Sequence, residues 1–130
     1  MVVRGFLCGH ALRQYTAGKR TLCGASMPDG MLPYQAFPQP IITPATKADH
    51  GEHDEDISPR EILNRGMVSE DLWQKLSSVS LKLFAFGQQM ASERGLLLAD
   101  TKYEFGLIDG ELILIDEIHT PDSSRYFYSD

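Results

Sequence analysis

The most regular alternation of apolar and polar residues lies between residues 100 and 117. Neighbouring residues of a strand point to opposite faces, which divides the first part of this stretch into two sets. The apolar set is Thr101, Tyr103, Phe105 and Leu107, and the charged set is Asp100, Lys102 and Glu104. A turn signal at 109–110 separates this stretch from a second apolar run at 112–115, so the pattern predicts a β-hairpin.

The register of this hairpin follows from the requirement that charges avoid the apolar face. A two-residue loop would pair Ile108 with Glu111 and would bring Asp116 to the apolar face. A three-residue loop over 108–110 pairs Leu107 with Glu111 and leaves Asp116 on the charged face. We therefore predict the three-residue loop.

The charged face of the hairpin has two interpretations. An amphipathic hairpin with a solvated polar face is the ordinary one. In the predicted register, however, Leu112 and Leu114 lie on the charged face, which suggests that another part of the molecule covers it. Two carboxylates and a lysine in a covered cleft suit an oxygen-liganded Mg²⁺ beside a phosphate.

Helix signals precede the hairpin. Ser58 is a predicted N-cap with proline and glutamate in the first turn, and Ser69 begins a longer helix that ends at Arg94-Gly95. A shorter helix is predicted from Gly9 and ends before Gly18. The long helix is expected to pack on the sheet through the stripe Leu72, Leu76, Val79, Leu83, Phe86 and Met90, widened by Trp73 and Phe84. The predicted fold class is α+β, an antiparallel sheet whose C-terminal-half β-hairpin packs against one long helix and shorter helices.

The first half of the chain has less regular patterning. Residues 1–7 form an apolar run typical of a buried strand, with few candidate neighbours in the chain to pair with it. We therefore expect residues 1–130 to form a single partial domain, a piece of a larger one. Residues 24–57 are rich in Pro and Gly, which excludes a regular helix or a central strand and predicts a functional or disordered loop.

The end of that loop, residues 49–56, concentrates carboxylates and histidines. Three interpretations stay open: a solvated acidic loop, a loop that contacts substrate, and, third, a zinc site using His50 and His53. No cysteine and no helical frame accompany the histidines, which disfavours zinc.

Composition narrows the functional classes. With 130 residues, 42% hydrophobic and 23% charged, the chain is typical of one soluble globular domain. The net charge of −6 argues against a nucleic-acid binder. The two cysteines are expected to be reduced thiols, and no segment resembles a signal peptide or a membrane span, which predicts a cytoplasmic protein.

One basic cluster, Arg4, Arg13, Lys19 and Arg20, stands out in this acidic chain. It is either a solvated basic face or an anion site. The second interpretation gains weight if the amides of Gly9 and His10 open a helix toward a phosphate.

Several blocks in order resemble the SAICAR synthase family (phosphoribosylaminoimidazole-succinocarboxamide synthase). They are Val2-Val3-Arg4-Gly5, Thr43-Pro44-Ala45-Thr46-Lys47, Gly51-Glu52-His53-Asp54-Glu55, Ala99-Asp100-Thr101-Lys102-Tyr103-Glu104-Phe105-Gly106, Ile115-Asp116-Glu117 and Thr120-Pro121-Asp122-Ser123-Ser124-Arg125. The resemblance covers nearly the whole chain and implies part of an ATP-grasp-like fold.

The resemblance implies a carbon–nitrogen ligase of purine biosynthesis. ATP activates the carboxylate of carboxyaminoimidazole ribonucleotide as an acyl phosphate, and the amine of L-aspartate displaces the phosphate to give SAICAR. The implied cofactors are ATP and Mg²⁺, and the implied partners are these small-molecule substrates, with no nucleic acid and no membrane. A homo-oligomer is compatible with the resemblance.

The resemblance also assigns roles to residues. It gives Glu104 and Asp116 to Mg²⁺, Lys102 to charge neutralisation and Asp100 to orientation of the catalytic site. The ribonucleotide 5′-phosphate would be bound by Arg4, Arg125 and the turn containing Asp122, Ser123 and Ser124. Lys47, His53 and Asp54 would belong to a substrate loop within 24–57.

Two departures qualify the resemblance. His10 stands where many relatives carry a phosphate-contacting serine, and a histidine donor could replace that contact. The family's Gly-rich nucleotide loop, its phosphate-binding lysine and its C-terminal helical segment have no counterpart in this sequence, so we expect the chain alone to be inactive. The alternative function is a non-catalytic module that binds the ribonucleotide or Mg²⁺ and needs a complementary chain.

Overall fold

The computed structural model describes residues 1–46, 55–115, 118–120 and 124–128. The strands are β1 (Val2–Phe6), β2 (Thr21–Leu22), β3 (Ala25–Ser26), β4 (Ala36–Ile42), β5 (Ala45–Thr46), β6 (Glu55–Asp56), β7 (Leu96–Lys102), β8 (Glu104–Ile108), β9 (Glu111–Ile115) and β10 (Ser124–Tyr128). The helices are α1 (Gly9–Thr16), α2 (Pro59–Asn64) and α3 (Glu70–Ser92). Helices and antiparallel sheets together confirm the predicted α+β class.

A four-stranded antiparallel sheet in the order β10-β7-β1-β4 positions most of the chemistry described below. Strand β1 is central: it pairs with β4 on one side and with β7 on the other. The sequence suggested few partners for this strand, because both neighbours come from distant parts of the chain. Pairing on both edges allows the middle of β1 to be buried.

Strand β4 lies within the Pro/Gly-rich segment, where the sequence predicted irregular structure. Its prolines, Pro38 and Pro40, fall where the pairing with β1 shifts register between Arg4 and Phe6. The strand is also at the edge of the sheet, as is expected when proline removes a backbone donor. The exclusion of a central strand therefore agrees with the structure, whereas irregularity throughout 24–57 does not.

The predicted hairpin is present, but its predicted register is wrong. Ile108 pairs with Glu111, so the loop has two residues, Asp109 and Gly110, with φ of 51° and 79°. Positive φ at both positions is the geometry of a type I′ turn, whose twist matches that of the flanking strands. Phe105 consequently lies opposite Leu114, and both pack on the core.

The first arm of the hairpin is also not one continuous strand. β7 ends at Lys102 and β8 begins at Glu104, and the two belong to different sheets. Tyr103 is the residue between them and is completely buried. The break between the strands therefore falls at a buried side chain, where the alternating pattern gives no sign of it.

The helix ends agree with the sequence. Ser58 Oγ accepts a hydrogen bond from the amide of Glu61, and Ser69 Oγ accepts one from the amide of Leu72, both at 3.2 Å. Gly18 and Gly95 follow α1 and α3 with φ of 101° and 72°. Side-chain caps and left-handed glycines act locally, which is why sequence alone locates them.

The predicted buried stripe of α3 is confirmed only in part: Phe84 is buried and Leu83 packs against the core. The buried residues are Ser80, Phe84, Gly87 and Ala91. Phe86 and Met90, which were predicted to face the sheet, are 60% and 43% exposed. Small residues let a helix approach a sheet closely: an added Cβ on Gly87 would lie 2.9 Å from Cδ2 of Leu98 on β7. The small-residue face therefore takes the contact, and Phe84 is its large anchor.

Two groups of buried residues make the core. One surrounds α1 and consists of Leu7, Ala11, Tyr15, Leu22, Met27, Met31 and Phe37. The other lies where α3 meets β1 and β7 and consists of Val3, Phe84, Ala91, Leu98 and Tyr103. Among the described helices, none combines the length and the apolar character needed to cross a bilayer.

The burial pattern of α3 predicts that alanine substitution of two nearby phenylalanines lowers the free energy of unfolding by very different amounts. Phe84→Ala should lower the free energy of unfolding by about 3–5 kcal/mol, because it empties a fully enclosed site. Phe86→Ala should lower it by less than about 1 kcal/mol, since that ring is largely exposed. Urea denaturation of both variants measures the difference. A larger loss of stability for Phe86→Ala than for Phe84→Ala would support burial of the stripe that the sequence pattern predicted.

Candidate functional site

The centre of the candidate site is a row of three charged residues across three strands. Arg4 of β1 and Arg125 of β10 both lie directly opposite Asp100 of β7. Opposed residues of paired strands share a face, so the two guanidinium groups converge on one carboxylate. Nη1 of Arg4 is 3.6 Å and Nη1 of Arg125 is 3.9 Å from Oδ2 of Asp100.

The two arginines differ in exposure. The Arg4 side chain is 11% exposed, and its Nε donates a 2.8 Å hydrogen bond to Oγ1 of Thr43. Burial lowers the pKa of Arg4, and the carboxylate of Asp100 opposes that shift. The Arg125 side chain is 48% exposed. Arg4 is thus held within the protein, while Arg125 presents donors to solvent.

The N-terminus of α1 adjoins this row. Cys8 is the N-cap residue, but its thiol donates to Oδ2 of Asp100 at 3.4 Å instead of serving the helix. Burial, followed by the charge of Asp100, raises the pKa of Cys8 to about 11, so the thiol stays protonated and remains a donor. Its side chain therefore leaves the first amides of α1 uncapped.

Gly9 explains how Arg125 reaches the helix. A Cβ added to Gly9 would coincide with the Arg125 guanidinium, and the φ of +56° at Gly9 also disfavours any side chain. Only glycine permits this approach. The arginine and the positive end of the helix dipole therefore lie side by side.

This arrangement is suited to an anion. Two guanidinium groups outnumber the one carboxylate between them, and helix amides add donors that favour negative charge. An exposed planar guanidinium can bind phosphate or carboxylate oxygens in bidentate fashion. The predicted anion site thus gathers Arg4 and the start of α1, but its other arginine is Arg125. Arg20, which the sequence placed in the basic cluster, instead stacks on Tyr15 and pairs with Asp29.

A second charged pair lies further along β7. Nζ of Lys102 is 3.6 Å from Oε1 of Glu104, across the buried Tyr103, and both side chains are partly exposed. Glu104 is opposite Ile115, the last described residue before Asp116. In the part of the chain that the structure describes, no group of three or more His, Cys, Asp or Glu side chains is arranged to hold a metal.

Two other predicted binding residues have protein partners. Nε2 of His10 is 2.6 Å from Oδ2 of Asp56, which joins α1 to β6. Oγ of Ser124 is 2.7 Å from Oγ1 of Thr101. The role of His10 at a phosphate stays a prediction. The remaining predicted site residues lie outside the described residues: Lys47, His53, Asp54, Asp116, Asp122 and Ser123, together with His50.

Sequence reasoning missed three residues of this region: Thr43, Cys8 and His119. Gly9 was predicted to begin a helix whose amides could meet a phosphate, and α1 does begin there. Thr43 accepts a hydrogen bond from Arg4 and Cys8 donates one to Asp100, and no sequence pattern connects either pair. His119, described further below, preceded a turn and showed no pattern of its own.

Comparisons with known proteins agree with one another. The family model described as SAICAR synthetase matches residues 1–130. A phosphoribosylaminoimidazole-succinocarboxamide synthase of Bacteroides thetaiotaomicron is 56% identical over 130 residues, which are 100% of this chain and 41% of that protein. The chain thus spans about two fifths of the length of the curated relatives that it matches.

Solved structures show the same similarity in the fold. A SAICAR synthase from Saccharomyces cerevisiae complexed with SAICAR is 39% identical, with a TM-score of 0.85 over 98% of this chain and 40% of that one. A SAICAR synthetase in complex with ADP is 26% identical, with a TM-score of 0.78 over 98% of this chain and 48% of that one. From the match along its whole length, the chain belongs to the SAICAR synthetase family.

Proposed function

We propose that this chain supplies the ribonucleotide site and part of the phosphoryl-transfer site of a SAICAR synthase. That enzyme is an ATP-dependent ligase that joins L-aspartate to carboxyaminoimidazole ribonucleotide. The observation that carries the proposal is the row Arg4, Asp100 and Arg125 beside the N-terminus of α1. Family membership supports it, as does the SAICAR bound to the yeast relative.

In the proposed reaction the ribonucleotide carboxylate oxygen attacks the γ-phosphorus of ATP, and the bond to the bridging oxygen of ADP breaks. The amine nitrogen of L-aspartate then attacks the acyl carbon. A carbon–nitrogen bond forms, phosphate leaves and the amine loses a proton. Catalysis of this kind depends mainly on positioning and on stabilising charge.

Arg125 would bind the 5′-phosphate of the ribonucleotide, with the amides at the start of α1 as further donors. Arg4, whose side chain is largely buried, contributes positive charge from within the protein. The turn that contains Ser123 and Ser124 would also contact the phosphate. Asp100 orients both guanidinium groups, since its carboxylate lies between them. We therefore assign Asp100 to positioning of the phosphate site.

Lys102 would neutralise charge on the transferred phosphoryl group, because its ammonium lies at the end of β7 next to Glu104. Glu104 fits Mg²⁺ by its donor chemistry: it is a partly exposed carboxylate, and Mg²⁺ prefers oxygen ligands. The two-residue hairpin loop removes the register argument that placed Asp116 beside Glu104, so the pairing of these two residues rests on the family resemblance alone. By that resemblance, Glu104 and Asp116 would hold the ion, which when bound supplies positive charge to the ATP phosphates. The ADP bound to another relative supports ATP as the nucleotide.

Lys47, His53 and Asp54 would contact the imidazole ribonucleotide and L-aspartate from a loop within 24–57. This assignment rests on the family resemblance of residues 43–47 and 51–55. A second candidate function is a non-catalytic module that binds the ribonucleotide and needs a complementary chain. It is favoured by the coverage, since the chain spans 41% of its relative.

Calorimetric titration tests the proposal as a whole. The chain should bind carboxyaminoimidazole ribonucleotide measurably and Mg-ATP only weakly, because the phosphate site is in the described residues and the predicted nucleotide loop is not in this sequence. Turnover is then expected only from a polypeptide or complex that also supplies the rest of a full-length SAICAR synthase. Absence of ribonucleotide binding would contradict the proposed site. Turnover by the chain alone would contradict the need for a complement.

Arg125 should be the main phosphate ligand. Arg125→Ala should weaken ribonucleotide binding by about 1.5–3 kcal/mol, the range of a hydrogen bond to a charged group. Arg65→Ala is the matched control, because Arg65 is an exposed arginine that pairs with Glu61 on α2. Equal affinity of the two variants, measured by the same titration, would refute the phosphate role of Arg125.

Glu104 should be needed for metal-dependent transfer. In a full-length SAICAR synthase that contains this chain, Glu104→Gln should reduce Mg²⁺-dependent turnover by about 100-fold or more. Glu111→Gln removes an exposed carboxylate from the turn end of the same hairpin and should leave turnover unchanged. Urea midpoints of both variants check that the fold is kept. Normal turnover in Glu104→Gln would remove it from the metal site.

A further inference from the structure

His119 connects three parts of the structure behind the phosphate site. Its ring packs edge to face on Tyr103, and its Nε2 is hydrogen-bonded to the Tyr103 hydroxyl. Its backbone carbonyl accepts a hydrogen bond from the Tyr126 hydroxyl of β10. One residue thereby contacts both the buried break between β7 and β8 and the strand that carries Arg125.

The structure provides a fitted place for this ring. A Cβ added to Gly87 of α3 would lie 2.7 Å from both Cε1 and Nε2 of His119. Gly87 itself is buried in the face that α3 turns toward the sheet. Any larger residue at position 87 would displace the imidazole. The glycine therefore accounts for the close packing of His119 on α3.

The hydrogen bond between His119 and Tyr103 joins two groups that are uncharged at neutral pH. Burial raises the pKa of Tyr103, so its hydroxyl keeps its proton. Burial lowers the pKa of His119 below its ordinary value of 6.5, so the ring is neutral. We take the neutral ring to carry its hydrogen on Nδ1, so that the hydroxyl of Tyr103 donates to Nε2.

Tyr126 transmits this contact to Arg125. The pairing of β10 with β7 shifts register between Arg125 and Tyr126, so Ala99 of β7 is an extra residue. Bulges of this kind re-aim side chains next to functional sites. Here Tyr126 joins the core cluster with Leu98, while its neighbour Arg125 reaches the start of α1. Fixing Tyr126 therefore fixes the strand position from which Arg125 extends.

We propose that His119 is a positioning residue for the ribonucleotide site: held by Tyr103 and Gly87, it fixes Tyr126 and so sets the placement of Arg125. The proposal rests on the proposed function, because it deepens the phosphate role of Arg125. His119 itself does not contact the row of charges at Asp100. Its effect on ligand binding is indirect and depends on its ring being neutral.

Acid should weaken this arrangement. Protonated Nε2 becomes a donor and can no longer accept the hydrogen of Tyr103. The titratable groups that face His119 from the elements packed against it, within the described residues, are the hydroxyls of Tyr103 and Tyr126, and α3 meets it through Gly87. The Tyr103 hydroxyl stays protonated in this range of pH, because burial raises its pKa. The His119 pKa in the folded chain is below 6.5, so the contact is intact above that value and is lost as the pH falls further.

Titration with SAICAR between pH 5.5 and 8 tests the proposal with three variants. His119→Leu removes the acceptor and should weaken binding about 3- to 10-fold at pH 7.5, the range expected for one hydrogen bond. His119→Gln keeps an acceptor where Nε2 lies and should bind like the parent at pH 7.5. Tyr126→Phe removes only the hydroxyl that joins His119 to β10 and should match His119→Leu.

The pH dependence separates positioning from general destabilisation. SAICAR has its own phosphate ionisation near pH 6, which affects every variant equally. The informative quantity is therefore the ratio of parent to His119→Gln affinity. It should be near one at pH 8 and fall below one as the pH drops under about 6.5, since only the parent ring protonates there.

The outcomes are distinguishable. If the parent chain does not bind SAICAR, the proposed function fails and this inference falls with it. Suppose that the parent binds SAICAR, that His119→Leu, His119→Gln and Tyr126→Phe bind it equally well, and that the affinity ratio stays constant with pH. Only the role of His119 is then refuted. If His119→Leu does not fold, Tyr126→Phe and the pH ratio of the Gln variant decide the question.

Discussion

A buried carboxylate shared by two guanidinium groups is the interaction on which the site depends. Asp100 and Arg4 are both largely removed from water. A buried charge is costly unless it is paired, and loss of one partner leaves the other uncompensated. The pairing is supplied by register: Arg4 and Arg125 oppose Asp100 from the two strands that flank β7. A slip of either outer strand would separate these charges, so the proposed anion site depends on the register of the sheet.

One face of this sheet packs in the core, and the other carries the charged residues of the candidate site. One carries Val3, Leu98 and Tyr126 against α3, and it forms the core. The other carries Arg4 and Asp100 toward Thr43 and Cys8. Regular alternation would place Leu98 and Asp100 on the same face, because they are two residues apart. The bulge at Ala99 relieves this conflict and lets one strand serve both the core and the site.

The side chain at the N-cap position of α1 does not cap the helix. The thiol of Cys8 lies at the N-cap position of α1 but is hydrogen-bonded to Asp100, which leaves the helix amides available for an anion.

The second apolar stripe of α3, with Phe86 and Met90, remains exposed in the described structure. The chain spans about two fifths of the relatives that it matches, so the rest of a relative of that length is large enough to cover such a surface. Exposure of large apolar side chains is otherwise unfavourable in water.

Sequence by itself determined the features that depend on neighbours along the chain. Ser58 and Ser69 begin helices, Gly18 and Gly95 follow their ends, and 109–110 makes the hairpin turn, because caps and turns satisfy local backbone groups. The α+β class followed from these elements, and the family resemblance followed from residues kept in order along the whole chain. Pairing of Asp100 with an arginine on each side did not follow, because the partners are far apart in sequence.

Tertiary structure decided the rest. Two faces of α3 are apolar enough to be buried, one containing Phe84 and the other Phe86. The face with Phe84 and Gly87 packs on the sheet, because its small residues allow the helix to approach closely. The strand break falls at the completely buried Tyr103, and the hairpin loop has two residues with positive φ. The alternation of apolar and polar residues indicated neither feature. His119 acquired its place only from Gly87, Tyr103 and Tyr126, which no local pattern connects to it. Contacts between distant residues are set by the free energy of the whole packed core, and that information is not present in any single window of the sequence.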